Sequence, residues 1–271
     1  TMVTLRIARM LTVQDVKPEN ILCFSFTNAA CTELRERLEK RIGGIAAYKV
    51  GVYTFHAFAN EVIMQHIDYL GISNLRTISD LEKIEITKKF IDGLHTDNPL
   101  RRLKGDEYFE VKRLTWLNQV MREEGMTVEE LVAKIDDFVE SLPNNPDYQY
   151  KRKYTDKSGK VFLAGDPNPN KIEEVKKYMD FTKSAVLAMP KLQGSISGQG
   201  FYDYADMITW AIAILADNEG LRRFIQERYQ YVIVDEFQDT SGSQLYLLTL
   251  LLEYWMPDAN VLLVGDPDQM I

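Results

Sequence analysis

Two adjacent carboxylates, Asp235 and Glu236, close the apolar run Tyr231-Val232-Ile233-Val234 and open the polar segment Phe237-Gln238-Asp239-Thr240. Paired acids at a strand end suit hydrolysis of a nucleoside triphosphate: one can hold Mg²⁺ through water while its neighbour orients and deprotonates an attacking water. Successive side chains of a strand point to opposite faces, so the pair can serve one site only where the strand stops. Strand-end acids also cap helices or face solvent, and the pair taken alone leaves that reading open. A second apolar run, Val261-Leu262-Leu263-Val264, stops at Gly265-Asp266-Pro267-Asp268-Gln269, which has strong turn chemistry of its own. Two such runs predict neighbouring parallel strands whose carboxyl ends open on one crevice, the usual ligand site of an open α/β sheet.

The positioning elements follow from periodicity. Residues 2–11 carry Val3, Leu5, Ile7, Met10 and Leu11 at helical spacing with no start signal before them, so the chain is expected to begin within an element. Residues 21–26 and 50–54 predict short buried strands, each followed by a segment of helical composition, 29–41 and 57–69, the first stopped by Gly43-Gly44. This alternation predicts a parallel sheet of βα repeats. From about Ser79 the pattern turns helical, with helices expected over 80–94, 106–124, 128–141 and 171–187, capped by Ser79 or Asp80 and by Thr127. Residues 142–170, rich in Pro, Asn, Lys and Tyr, predict a long loop or weak hairpin. Helices over 202–215 and 220–228 lead back to the strand at Tyr231, and one over 243–255 joins the last two strands. A helical insertion into an α/β domain explains this order better than two sequential domains, because the first strands alone make too small a sheet.

With 32 Lys and Arg against 40 Asp and Glu, the formal charge is −8, which excludes a surface that coats nucleic acid indiscriminately. Any such site must be local. Tyr150-Lys151-Arg152-Lys153-Tyr154, followed by Lys157 and Lys160, interleaves cations and aromatics as backbone contact and base stacking require. A solvated loop with a few lysines explains those residues equally well. No apolar stretch is long enough for a bilayer and no signal peptide is recognisable, so no membrane partner and a cytoplasmic location are expected. Cys23 and Cys31 have neither metal-ligand spacing nor a disulfide framework and read as packing residues.

Set beside Phe26-Thr27-Asn28-Ala29-Ala30, Thr54-Phe55-His56-Ala57-Phe58 and Val264-Gly265-Asp266-Pro267-Asp268-Gln269, the segment Asp235-Glu236-Phe237-Gln238-Asp239-Thr240 resembles the UvrD/Rep family of superfamily 1 DNA helicases. Four motifs in the family's order make the resemblance specific, and it covers nearly the whole chain. It implies a RecA-like P-loop NTPase motor domain with a parallel sheet over residues 1–78 and 200–271, truncated at both ends, and an inserted helical subdomain over 79–199. It further implies an ATP- and Mg²⁺-dependent helicase that moves 3′ to 5′ on single-stranded DNA and unwinds duplex DNA in repair or recombination.

Carried over residue by residue, the resemblance makes Asp235 the holder of Mg²⁺, Glu236 the general base and Gln269 the sensor of the terminal phosphate, all three in one hollow. A neutral amide suits the sensor role because it both donates and accepts. Thr27 and Asn28 would bind phosphates of single-stranded DNA, Thr54 and His56 would contact DNA or transmit the nucleotide state, and Phe55 would pack. Thr27 or Asn28 reads equally well as a plain N-cap. Where the family usually has lysine this chain has Ala29, which removes a cation from that segment. Tyr202-Asp203-Tyr204-Ala205-Asp206-Met207 resembles a weaker signature, although acids favoured at a helix N-terminus explain it better.

The family's glycine-rich phosphate loop with Lys and Thr does not occur in these residues, nor does a second motor domain, so an N-terminal fragment without significant ATPase activity of its own is expected. Two other classes stay open: a non-catalytic nucleic-acid-binding module, which has no chemical need for the acid pair, and the helicase part of a helicase-nuclease. A nuclease built on Asp235 and Glu236 themselves would need several acids around two metals, and no such cluster can be assembled from the sequence.

Overall fold

A computed structural model describes residues 2–66, 76–101, 107–156, 159–266 and 268, without the side chains of 107–109. Gln269 and Lys157, both singled out above, lie outside the described residues. In chain order the elements are α1 (Met2–Val13), β1 (Ile21–Phe24), α2 (Asn28–Ile42), α3 (Gly44–Lys49), β2 (Gly51–Tyr53), α4 (Phe55–Gln65), β3 (Arg76–Thr77), α5 (Asp80–Asp92), α6 (Glu107–Glu123) and α7 (Val128–Ser141). They continue with β4 (Tyr154–Thr155), β5 (Val161–Phe162), α8 (Pro169–Ser197), β6 (Phe201–Tyr202), α9 (Tyr204–Asp217), α10 (Glu219–Arg228), β7 (Tyr231–Val234), α11 (Gly242–Leu252) and β8 (Asn260–Leu263). The chain divides into two compact units, one of Thr1–Leu75, Arg122–Gly125 and Tyr202–Ile271, the other of Arg76–Met121 and Met126–Phe201.

The first unit is an α/β layer structure around a four-stranded sheet of order β2-β1-β7-β8, in which every neighbouring pair is parallel. The strands are short and nearly all apolar; β1, β2 and β7 are largely buried, as expected of strands covered on both faces, whereas β8 at the edge is mostly exposed. Alternation splits them between two cores. Leu22, Phe24, Val232 and Val234 point to α4, α9 and α11, where Phe24 stacks on Phe55 with centroids 4.4 Å apart. Ile21, Cys23 and Ile233 point the other way, to Val3, Ile7 and Met10 of α1, Leu34 and Leu38 of α2 and Ala47 of α3.

The second unit is helical, with Ile86, Leu114, Ile135, Val186, Met189 and Leu192 among the residues of its own core. Both α5 and α7 open on capping boxes, Ser79 with Glu82 and Thr127 with Glu130. Each box satisfies two of the amide donors that a helix start leaves open.

Two expectations are sharpened and one, the end of α8, needs correction. Gly43 ends α2 at φ 85°, but α3 begins at the next residue; the pair therefore breaks the helix without ending helical structure, because burial of Ala47 rewards another turn and a half. Helix α8 does not stop at 187 but runs through Pro190 to Ser197. Proline in a helix interior costs about 3 kcal/mol, and here Leu192 and Ile196 continue the buried stripe of Ala185, Val186 and Met189 beyond it. The segment 142–170 is a hairpin with short 3₁₀ turns at its start, in which β4 and β5 pair antiparallel.

Candidate functional site

Because all four strands run the same way, their carboxyl ends meet along one edge of the sheet. The register sets Phe24 against Tyr53 and Val234, and Val234 against Leu263. Backbone bonds carry the pairing one residue further: Ser25 N–H donates to the Tyr53 carbonyl (3.0 Å), Asp235 N–H to that of Phe24 (2.9 Å) and Val264 N–H to that of Val234 (2.8 Å). The segments after β1, β2, β7 and β8 therefore all leave from one line, and they hold Thr27 and Asn28, Thr54 and His56, Asp235 and Glu236, and Gly265 and Asp266.

Asp235 is half-buried at the end of β7 and Glu236 is exposed. The backbone turns sharply between them. Glu236 sits in the left-handed region, φ 56° and ψ 44°, which non-glycine residues rarely occupy. Such conformations cost of order ~1–3 kcal/mol and concentrate at functional sites. Burial raises the Asp235 carboxyl above the usual carboxylate range, the charge of Glu236 pushes the same way, and the Glu236 backbone N–H partly offsets both.

What holds Glu236 in place is Gln238. Its Nε2 donates to Glu236 Oε2 at 2.7 Å, and its Oε1 accepts the Asp266 N–H at 3.1 Å. One amide thus joins the acid pair to the loop after β8, using both of its hydrogen-bonding ends. Phe237 N–H adds a bond to the Val264 carbonyl at 2.8 Å. A Cβ at residue 265 would stand 2.6 Å from Gln238 Oε1, so glycine there makes the approach possible. In the sequence Gln238 stands out only as part of a motif; Gly265, beside a polar run after a strand, is the local signal for the close approach.

Thr27 caps α2, its hydroxyl accepting the Ala30 N–H at 3.1 Å, and Asn28 stands exposed in the first turn beside exposed Phe26. Thr54 caps α4 by accepting the Ala57 N–H at 3.1 Å, and at 8% exposure it is buried. His56 is half-buried, its ring edge-on to the exposed Tyr204 at 5.5 Å. Burial lowers its pKa, opposed by Glu123.

Asp203 and Asp206 form the capping box of α9, as helix-start acids should. They also face a half-buried cation: Arg122 donates through Nη1 and Nη2 to the two Asp203 oxygens (2.7 and 2.8 Å) and through Nη1 to Asp206 (2.8 Å). Burial raises the Asp206 carboxyl and Arg122 opposes that rise. The next residues hold the start of α11: Glu124 Oε2 accepts the Gly242 N–H at 3.3 Å, and a Cβ on Gly242 would come within 2.3 Å of the Glu124 carbonyl oxygen.

The donor set fits Mg²⁺ better than a metal needing a protein cage. No group of three or more His, Cys, Asp or Glu that could enclose a metal occurs among the described residues, whereas Mg²⁺ keeps several waters and needs only one or two carboxylates beside substrate phosphates. Asp235 forms a carboxylate in a partly desolvated place where a cation would be favoured. None of the described helices is long and apolar enough to cross a membrane.

Residues 1–271 match the UvrD/REP helicase N-terminal domain over their whole length. Among curated proteins, a probable DNA helicase of Mycoplasma pneumoniae is 28% identical across 100% of this chain and 42% of its own length. An ATP-dependent DNA helicase PcrA of Staphylococcus aureus is 25% identical across 99% of the chain and 30% of its own length. ATP-dependent DNA helicase srs2 of Schizosaccharomyces pombe is 24% identical across 99% and 26%. The chain spans less than half the length of each of these relatives.

Proposed function

Since the chain belongs to the UvrD/REP helicase N-terminal domain family, we propose that it forms the ATP- and DNA-handling part of an ATP-dependent helicase that moves along single-stranded DNA, 3′ to 5′, and opens duplex. The first unit is the motor domain and the second a helical subdomain inserted into it. Asp235 is the residue to hold Mg²⁺, which when bound would neutralise phosphate charge. Glu236 takes the proton from the attacking water, and Gln238 fixes its carboxylate. Gln269 senses the terminal phosphate. Thr27 still has a hydroxyl proton to give to a DNA phosphate while capping α2, and Asn28 and the amides of that helix start offer further donors. The burial of Thr54 favours transmission over direct contact, leaving His56 to meet DNA.

The observation that carries this reading is the acid pair at the carboxyl edge of a parallel sheet, with Glu236 held in a strained backbone conformation and tied through Gln238 to the neighbouring strand's loop. The test is DNA-stimulated phosphate release by the protein that carries this chain. Glu236→Gln should retain ATP binding and lose about 10²- to 10⁴-fold in kcat, the usual worth of a general base. Turnover that survives this substitution would sink the reading.

A further inference from the structure

The hairpin of the second unit holds an arrangement that the strand-end motifs do not use. Its base is tied by Tyr150 N–H to the Asp166 carbonyl, Gly165 N–H to the Tyr150 carbonyl and Asn168 N–H to the Tyr148 carbonyl, each 2.9 Å. Further out, Tyr154 pairs with Phe162 and Thr155 with Val161. Between Tyr150 and Tyr154 the pairing lapses, and the strand bends out over Lys151, Arg152 and Lys153. The two tyrosine rings close this bend by stacking, centroids 5.3 Å apart and planes within 13°, and Phe162 lies against both at 4.8 and 6.4 Å. Three consecutive cations are thus carried on an arch with an aromatic base.

All three are exposed, and among the described residues none of their side chains has a hydrogen bond or ion pair. The nearby carboxylates accept backbone donors, Asp156 the Lys160 N–H at 2.9 Å and Asp166 the Leu163 N–H at 2.6 Å. Lys160 and Lys171 add ammonium groups over Phe162 and Tyr148, at 5.0 and 5.3 Å. Residues 147–171 hold six Lys or Arg against three Asp, a positive patch on a chain of net −8. The rings are engaged with one another, so the arch suits phosphates rather than bases.

We propose that Lys151, Arg152 and Lys153, held over the Tyr150, Tyr154 and Phe162 rings, form a second nucleic-acid contact that grips the phosphate backbone without reading sequence. This rests on the DNA-handling reading above and extends it to the second unit. The test is fluorescence anisotropy of the 271-residue chain with a labelled single strand and with the duplex of the same sequence, across a salt series. Each phosphate neutralised contributes about 0.9 to the log–log salt slope on duplex and about 0.7 on single strand. Replacing Lys151, Arg152 and Lys153 together by Ala should therefore lower the slope by about 2 and weaken binding at least ~10-fold near 0.1 M salt, and whichever nucleic acid suffers more is the one the arch holds. Tyr154→Ala keeps every cation but opens the arch, so affinity should fall severalfold at nearly unchanged slope. Replacing Lys134, Lys176 and Lys191 by Ala removes the same charge elsewhere and should change little. Equal losses from the two triples, or none from the first while wild type binds, overturn the arch alone; wild type that binds neither nucleic acid overturns the DNA reading with it.

Discussion

At the scale of single residues, the proposed chemistry turns on an amide. Gln238 is neither acid nor base, yet it is the hydrogen-bond partner that orients Glu236 from the direction of the β8 loop. A hydrogen bond to a charged group is worth about 1.5–3 kcal/mol, so Gln238→Ala should cut kcat about 10- to 100-fold with little change in KM for ATP, in the protein that carries this chain. Gly265→Ala should reproduce that defect, because its methyl would displace the Gln238 amide from 2.6 Å away. Residues acting as one unit are not additive, so the double variant should be no slower than the worse single one, and multiplied defects would separate the two positions. His56 gives a prediction of different kind. Its folded pKa lies below the ordinary 6.5, so in the window between the two values the unfolded chain binds a proton that the native chain does not, and stability falls as pH drops through 6.5. The groups facing it are the Tyr204 ring and Glu123. Denaturant melts at about pH 7.5 and 5.5 should show this loss, and His56→Gln should shrink it. The acids, the threonines and His56 were legible in the sequence because each follows an apolar run by one or two positions. Gln238 and Arg122 were not, because their roles depend on partners 28 and 81 or more residues away.

At the scale of elements, the same division holds. Helix α7 was legible to its ends, since Thr127 and Glu130 form a capping box and the apolar stripe begins at once. Strands β1 and β7 were legible because a parallel sheet buries both faces and leaves an unbroken apolar run. The continuation of α8 through Pro190 was not, because local chemistry argues for a stop and only the packing of Met189, Leu192 and Ile196 reverses it. Likewise β3 and β6 are two residues each, too short to show a period. The start of α9 falls between these cases: its helix-start acids were readable, the guanidinium facing them was not. Removing one partner of a buried, hydrogen-bonded charge group costs about 3–5 kcal/mol. Arg122→Met should therefore destabilise the chain by about that much, read as a lower denaturation midpoint. Arg122→Lys should recover only part, since a single ammonium cannot make the forked contact to Asp203. A neutral outcome for Arg122→Met would mean that Asp203 and Asp206 are satisfied without it.

At the scale of the whole molecule, the division into units can be tested by surgery. The chain enters the second unit at Arg76 and leaves it at Phe201, and these ends lie side by side: Arg76 N–H donates to the Gly200 carbonyl at 3.0 Å, and its guanidinium lies 4.3 Å from the Phe201 ring centroid. A short Gly-Ser linker can therefore replace residues 76–201 without stretching. The excised stretch also takes with it Arg122–Gly125, which packs with the first unit, so Asp203 and Asp206 lose the guanidinium that faces them in a buried place. The deletion should accordingly fold poorly on its own and be rescued by Asp206→Asn, which removes one buried charge while an amide can still accept the Asp203 N–H now bonded at 2.8 Å. The rescued protein retains Thr27, Asn28 and His56 but lacks the cationic arch, so its binding to single-stranded DNA should persist with a salt slope as shallow as that of the triple Ala variant. Circular dichroism melting decides the first point and the salt series the second. A rescued deletion with no cooperative transition would show that the parallel sheet depends on the helical residues for far more than Arg122. A slope equal to that of the intact chain would show that the phosphate contacts all lie at the sheet's carboxyl edge.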